Sequence, residues 1–162
     1  MTAAHRVTRS RETTHTPLQI AALAVGITFL AVGIAGFVPG LTSDLDQIEF
    51  AGHESGAQLL GLFQVSVLHN LVHVLFGIVG IAAWRRTDWA RRFLLIGGAV
   101  YLLLFVYGLV VDRHADANFV PLDDADNWLH LGLGAGMIAL GALLPGRTAL
   151  DADGRRTPGE VR

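Results

Sequence analysis

Four long apolar runs without a charged residue constrain the fold of this chain more than any other feature. They cover residues 18–38, 59–84, 93–111 and 128–144, and the 12 basic and 14 acidic residues all lie outside them. A soluble helix of this length would carry a charged face toward water, whereas about 20 apolar residues span the hydrocarbon core of a bilayer. The pattern therefore predicts four membrane-spanning helices, at about residues 18–38, 59–84, 93–111 and 124–144.

These spans leave little of the chain for anything else. The predicted fold class is all-α, a transmembrane four-helix bundle over residues 18–144, with a flexible head at 1–17 and a flexible tail at 145–162. Because the chain has no cysteine, disulfide bonds, thiolate nucleophiles and Cys-ligated metals are excluded. The composition also argues against a soluble enzyme or a nucleic-acid binder, so we expect neither catalytic residues nor a nucleic-acid partner.

The arginines are segregated among the connections between the apolar runs. Residues 1–17, 85–92 and 145–162 hold 11 of the 12 basic residues, all of them Arg, and these segments share one side of a four-span protein. The positive-inside rule then places both termini in the cytoplasm. The cluster between the second and third runs could also bind anionic lipid headgroups, although a topology signal explains it more simply. This cluster consists of Arg85, Arg86, Arg91 and Arg92.

Polar residues on the second and fourth spans are the most informative feature inside the predicted spans. On each span they share one face when successive residues are placed about 100° apart around a helix. The candidate site residues are Ser66, His69, Asn70, His73, Asn127 and His130. The phrase Asn-x-x-His-x-x-x-Gly occurs at residues 70–77 and again, offset by 57, at residues 127–134. Since both spans run in the same direction, the repeat predicts a duplicated two-helix hairpin. The first and third spans do not align at that offset, which leaves chance and convergence open.

Two further patterns concern the fourth span. Asp123 fits an N-cap, and Asp124 and Asp126 fall in the first turn, where the helix dipole favours acidic side chains. Gly132, Gly134 and Gly136 cluster on this span, and Gly132 and Gly136 form a small-xxx-small pattern; such residues let helix backbones approach closely. Capping is the simpler explanation of the acidic residues, although together with His53 and Glu54 they could also bind a cation weakly.

Three interpretations of the polar face remain open. It could form an interhelical hydrogen-bond network in a small membrane scaffold or accessory protein, without a cofactor, which is the leading interpretation. It could bind a transition metal through His69, His73 and His130, since histidines at i and i+4 can chelate one ion, or hold a haem between His73 and His130. It could also relay protons or carry a small solute, because titratable side chains inside membranes are often functional.

Two phrases in the chain resemble a known family. LFQVSVLHNLVH at residues 62–73 and NFVPLDDADNWLH at residues 118–130 look like domain-of-unknown-function family 4383, which comprises small, largely actinobacterial, four-span membrane proteins. The resemblance covers about residues 18–144. It implies an integral protein of the bacterial plasma membrane and no particular activity. The partners expected from the sequence are the lipid bilayer, including anionic lipids, and a second copy of the chain or another membrane protein.

Overall fold

Four helices dominate the described part of the chain. The computed structural model describes residues 15–52, 54–111 and 123–146. Its helices are α1 (Pro17–Ala35), α2 (Val67–Ala83), α3 (Thr87–Val110) and α4 (Asp124–Leu143). The helices α1 and α2 pack together as one antiparallel hairpin and α3 and α4 as a second, which confirms the predicted all-α four-helix bundle. The predicted flexible head up to residue 14 and the predicted tail from residue 147 lie outside the described residues.

Polar caps at the helix starts explain where three of these helices begin. The Thr16 hydroxyl accepts a hydrogen bond from the Gln19 backbone N–H at 3.2 Å, and the Gln19 side chain accepts one from the Thr16 N–H at 2.9 Å. This capping box, followed by Pro17 in the first turn, starts α1. The side chains of Ser66 and Asp123 cap α2 and α4, each by accepting a hydrogen bond from the backbone N–H three residues later. Ser66 therefore lies at the entrance of α2 and not within the helix.

The second predicted span is only partly helical. Residues before Val67 form a small antiparallel sheet in the order β1 (Thr42–Ser43), β2 (Gln58–Leu59) and β3 (Phe63–Gln64). The turn between β2 and β3 contains Leu60 and Gly61, both with left-handed backbone angles (φ 54° and 65°). The prediction of a span from residue 59 was wrong in this respect, because these apolar residues serve a separate core. Leu59 and Val65 are buried there against Val32 of α1.

Glycines let the helices of each hairpin approach closely. A Cβ placed on Gly26 of α1 would lie 2.7 Å from the backbone nitrogen of Ile81 on α2, and one on Gly98 of α3 would lie 2.8 Å from the carbonyl oxygen of Gly134 on α4. A Cβ on Gly132 or Gly136 would meet nothing within 4 Å. The predicted packing role is therefore confirmed for Gly134 and wrong, within this chain, for Gly132 and Gly136.

Two of the helices are long and apolar enough to cross a membrane. They are α1, with 19 residues, and α3, with 24 residues. The helix α2 is a shorter apolar helix of 17 residues. The helix α3 also begins at Thr87, before the predicted residue 93, because its first turns contain charged residues that an apolar window excludes. By length and composition, α1 and α3 are thus the two candidate membrane spans among the described residues.

Candidate functional site

A cavity of about 210 Å³ lies where the first turns of α2 and α4 face the small sheet. We call it the chamber. Its polar lining consists of His69, His73, Asp126 and His130. Its apolar walls come from α1, from the sheet and its flanking residues, and from α4: Val32, Leu59, Leu60, Phe63, Val65, Leu129 and Leu133. The structure thus brings all three predicted histidines to one site and adds an acidic residue that the sequence assigned to capping.

The two histidines of α2 stack on each other. The imidazole rings of His69 and His73 have centroids 4.3 Å apart and planes only 8° apart. The Nδ1 atom of His73 lies 3.0 Å from the carbonyl oxygen of His69. Because a carbonyl oxygen can only accept, Nδ1 of His73 is the donor, and Nε2 of its neutral ring is left as an acceptor.

Aromatic rings connect the histidines of the two hairpins. Phe29 of α1 contacts His73 with ring centroids 5.4 Å apart, and Tyr101 of α3 contacts His130 at 5.3 Å. Phe29 and Tyr101 also contact each other at 5.2 Å. A continuous series of ring contacts, from His73 through Phe29 and Tyr101 to His130, therefore links α2 with α4.

The two asparagines of the predicted site do not line the chamber. The Asn70 side chain packs against Gly36, and the Asn127 side chain packs against Gly108, so closely that a Cβ on either glycine would overlap the amide. Both asparagines are buried, with 1% and 5% exposure. They hold the ends of α1 and α3 against their partner helices and occupy equivalent places in the two hairpins.

Several polar atoms around the site are buried without a hydrogen-bond partner. They are Nδ2 of Asn70, Oδ2 of Asp126, Oδ1 of Asn127 and Nδ1 of His130. More than nine-tenths of buried polar groups in proteins are paired, so four such atoms in one region are unusual. The predicted hydrogen-bond network between α2 and α4 is not formed among the described residues. The bonds found for Ser66 and His73 are local to α2.

Asp126 lines the chamber although the predicted intramembrane site does not include it. Its carboxyl accepts hydrogen bonds from the backbone N–H groups of Asp123 and Gln64, which ties α4 to the sheet. Its Oδ2 atom remains unpartnered, and the residue is only 2% exposed. The signal that could have found it was the offset of 57, which places Asp126 at the position equivalent to His69.

The geometry of the described residues does not fit the metal hypothesis. Among residues 15–52, 54–111 and 123–146, no group of three or more His, Asp or Glu side chains is placed to hold a metal ion. Because the rings of His69 and His73 are stacked, their nitrogen atoms lie in parallel planes and do not converge on one position for a metal ion. A haem held between His73 and His130 stays a prediction.

The four arginines between α2 and α3 differ in their surroundings. The guanidinium of Arg91 donates to the carbonyl oxygens of Gly141 and Leu144, the latter at 3.0 Å, and so caps the carboxyl end of α4. Two donors of Arg91 thus serve these carbonyls, its side chain is half-buried, and the lipid contact predicted for it stays a prediction. Arg85, Arg86 and Arg92 are exposed. Their contact with lipid stays a prediction.

Equivalent contacts recur in the two hairpins. The Gln19 side chain donates to the carbonyl oxygen of Trp84 at 2.9 Å, as Arg91 donates to Gly141. Two other contacts between α1 and α2 also reappear between α3 and α4. The contact of Phe29 with His73 is equivalent to that of Tyr101 with His130. The contact of Gly36 with Asn70 is equivalent to that of Gly108 with Asn127. These pairs share an offset of 57 between α2 and α4 and of 72 between α1 and α3.

The difference between the two offsets explains why the repeat is incomplete in the sequence. Equivalent positions of the two helices are separated by 15 more residues in the first hairpin than in the second, and the longer first connection holds the small sheet. The first and third helices therefore align only at 72 and not at 57. The predicted duplicated hairpin is present as a structural repeat.

The fold and the chamber together define a helical-bundle protein with candidate membrane helices and a mainly apolar cavity that three histidines and one aspartate also line. The chain belongs to the family described as "Domain of unknown function (DUF4383)", whose profile matches residues 19–143. This match confirms the resemblance seen in the sequence. No curated protein and no solved structure matches the chain. Since the family's description names no activity, the function must be argued from the chamber.

Proposed function

We propose that this protein is a small multi-pass protein of the bacterial plasma membrane that binds a small solute in its chamber. It would act as an accessory protein and not as an enzyme. The observation that carries the proposal is a pair of unpartnered polar atoms, Oδ2 of Asp126 and Nδ1 of His130, on buried residues that line a cavity of about 210 Å³. Polar atoms in such a place are usually matched by a ligand or by bound water.

The distribution of side chains supports a four-span membrane protein. The buried residues include polar ones such as Gln19, Asn70 and Asn127. The exposed faces of the helices are strongly apolar, with Leu75 61% exposed and Leu103 69% exposed. Soluble proteins rarely expose large continuous apolar surfaces, whereas a lipid environment favours them. The same pattern appears on all four helices, which supports four spans although α2 is short.

The arginines support the orientation. In a four-span protein the α2–α3 turn, with the exposed Arg85, Arg86 and Arg92, lies at the cytoplasmic end, and both termini lie on the same side. The chamber is at the opposite end, beside the small sheet, and so opens toward the outer side of the membrane. The exposed arginines would also contact anionic headgroups of the inner leaflet.

Packing at the cytoplasmic end favours binding over transport. Leu18, Ala22 and Leu94 are fully buried there, in a core that also contains Phe93. A carrier or proton path would need polar groups through this region. In the described residues the unpartnered polar atoms belong to the other end of the bundle. The chamber therefore resembles a binding site that is reached from one side.

A cavity-filling variant tests the proposal. The protein is placed in nanodiscs with its histidines labelled with ¹⁵N, and benzyl alcohol, a probe of suitable size, is titrated while the imidazole signals are followed. We expect saturable shifts of the His69, His73 and His130 signals in the wild type and their loss in Leu133→Trp, which fills the chamber. The matched control is Leu143→Trp on the same helix, since Leu143 is 80% exposed. Non-saturable shifts in the wild type, or equal shifts in Leu133→Trp, would contradict the proposal.

A further inference from the structure

The chamber is built from two half-sites that occupy equivalent positions in the two hairpins. At the offset of 57, two pairs of residues correspond: His73 of α2 with His130 of α4, and His69 of α2 with Asp126 of α4. All four residues line the chamber. The two half-sites are also capped in equivalent ways. The Ser66 hydroxyl accepts a hydrogen bond from the His69 N–H at 3.1 Å, and the Asp123 carboxyl accepts one from the Asp126 N–H at 2.7 Å.

The two half-sites differ in charge at one position. Among the described residues that line the chamber, Asp126 supplies the only carboxyl, where its counterpart in the first hairpin is an imidazole. In the same described part of the chain no Arg or Lys side chain lines the chamber, and the arginines lie at or beyond the far end of α2. A carboxyl that is 2% exposed and has an unpartnered oxygen ionises only at a large desolvation cost unless a cation reaches it.

The rest of the chamber suits an apolar body of limited size. Its other walls are aliphatic and aromatic side chains, including Leu59, Phe63 and Leu133. A cavity of about 150 Å³ in another protein holds one benzene molecule. The chamber, at about 210 Å³, therefore has room for a single ring with a short polar head. Phe63 offers a ring face that a nearby cation would favour.

We propose that the chamber selects a small organic cation, with one ammonium head on a single-ring or short aliphatic body. This inference rests on the solute-binding function proposed above and names its ligand class. The ammonium N–H groups donate to Oδ2 of Asp126 and to the free ring acceptor of His73, and the apolar body packs against Leu59, Phe63 and Leu133. The asymmetry between His69 and Asp126 then orients the ligand across two otherwise similar half-sites.

Three probes of similar shape test the ligand class. Benzylammonium, benzyl alcohol and toluene are titrated by calorimetry at neutral pH into wild-type protein in nanodiscs of zwitterionic lipid, and empty nanodiscs provide the blank. We expect benzylammonium to bind about tenfold or more tightly than benzyl alcohol, because a hydrogen bond to a charged group is worth more than a neutral one. Asp126→Asn should remove this preference, whereas the control Asp124→Asn, an exposed acid on the same turn, should keep it.

A relocation variant covers the case in which Asp126→Asn fails to fold. His69→Asp combined with Asp126→Asn moves the carboxyl to the equivalent half-site, and we expect it to keep the preference for benzylammonium. Equal or tighter binding of benzyl alcohol by the wild type would overturn the ligand class and leave the solute-binding function in place. If no probe binds the wild type, both the ligand class and the proposed function are overturned.

Discussion

Replacing Gly26 by alanine tests the close packing on which the first hairpin depends. The added Cβ would lie 2.7 Å from the nitrogen of Ile81, 2.9 Å from the carbonyl carbon of Gly80 and 3.0 Å from the carbonyl oxygen of Gly77. All three are backbone atoms of α2, so no side chain can turn aside to make room. The two helices must separate, and the ring contacts of Phe29 will weaken with them.

The expected magnitude follows from two opposing effects. Overpacking of a tight contact costs about 1–3 kcal/mol, whereas alanine gains about 0.5–1 kcal/mol over glycine inside a helix. We therefore expect Gly26→Ala to lower the free energy of unfolding by about 1–2 kcal/mol. Gly98→Ala should act similarly, because its Cβ would lie 2.8 Å from the carbonyl oxygen of Gly134 in the equivalent place.

The matched control is Gly132→Ala, where the added Cβ meets nothing within 4 Å. This variant keeps only the helix-propensity term and should be neutral or more stable by up to about 1 kcal/mol. The free energy of unfolding is measured by titrating SDS into protein in mild detergent micelles while following tryptophan fluorescence. Equal stability of Gly26→Ala and Gly132→Ala would refute the packing argument.

Three other substitutions test separate parts of the structure by the same titration. Arg91→Met should destabilise the protein by about 1–2 kcal/mol more than Arg92→Met, because only Arg91 donates to carbonyl oxygens at the end of α4; equal losses would argue against this cap. Ser66→Ala should cost about 1 kcal/mol through loss of the α2 cap, and an unchanged midpoint would count against it. Thr16→Ala should cost about 1 kcal/mol at the start of α1, since it removes half of a capping box, and a neutral result would contradict that role.

The helical fold could be predicted because its causes are local in the sequence. Uncharged runs and capping residues place the start of α1 at Pro17 and that of α4 at Asp124, close to the predicted bounds. The small sheet could not be found in this way. Its apolar residues, such as Leu59 and Val65, extend the run that ends in α2, and only their burial against α1 separates them from it.

The site was predictable in part for a related reason. Helical spacing was enough to place His69 and His73 on one face of α2. The repeated Asn-x-x-His-x-x-x-Gly phrase was enough to relate His73 to His130. Asp126 was not placed in the intramembrane site because an acidic residue in a first helical turn has a sufficient local explanation, and only the tertiary structure brings it to the chamber. Asn70 and Asn127 were expected at the site but pack against glycines of the neighbouring helices. These contacts are seen to be equivalent only when α1 is aligned with α3, and the longer first connection hides that alignment in the sequence.

The central claim is that a small solute occupies the chamber, and intermolecular nuclear Overhauser effects test it most directly. Benzylammonium is added to the wild-type protein in nanodiscs made with deuterated lipid, and contacts from its ring protons to the protein are recorded. The account predicts contacts to the side chains of Leu59, Phe63 and Leu133 and to the imidazole of His130, all of which line the chamber. Contacts confined to exposed residues such as Trp128, which is 67% exposed, would contradict it.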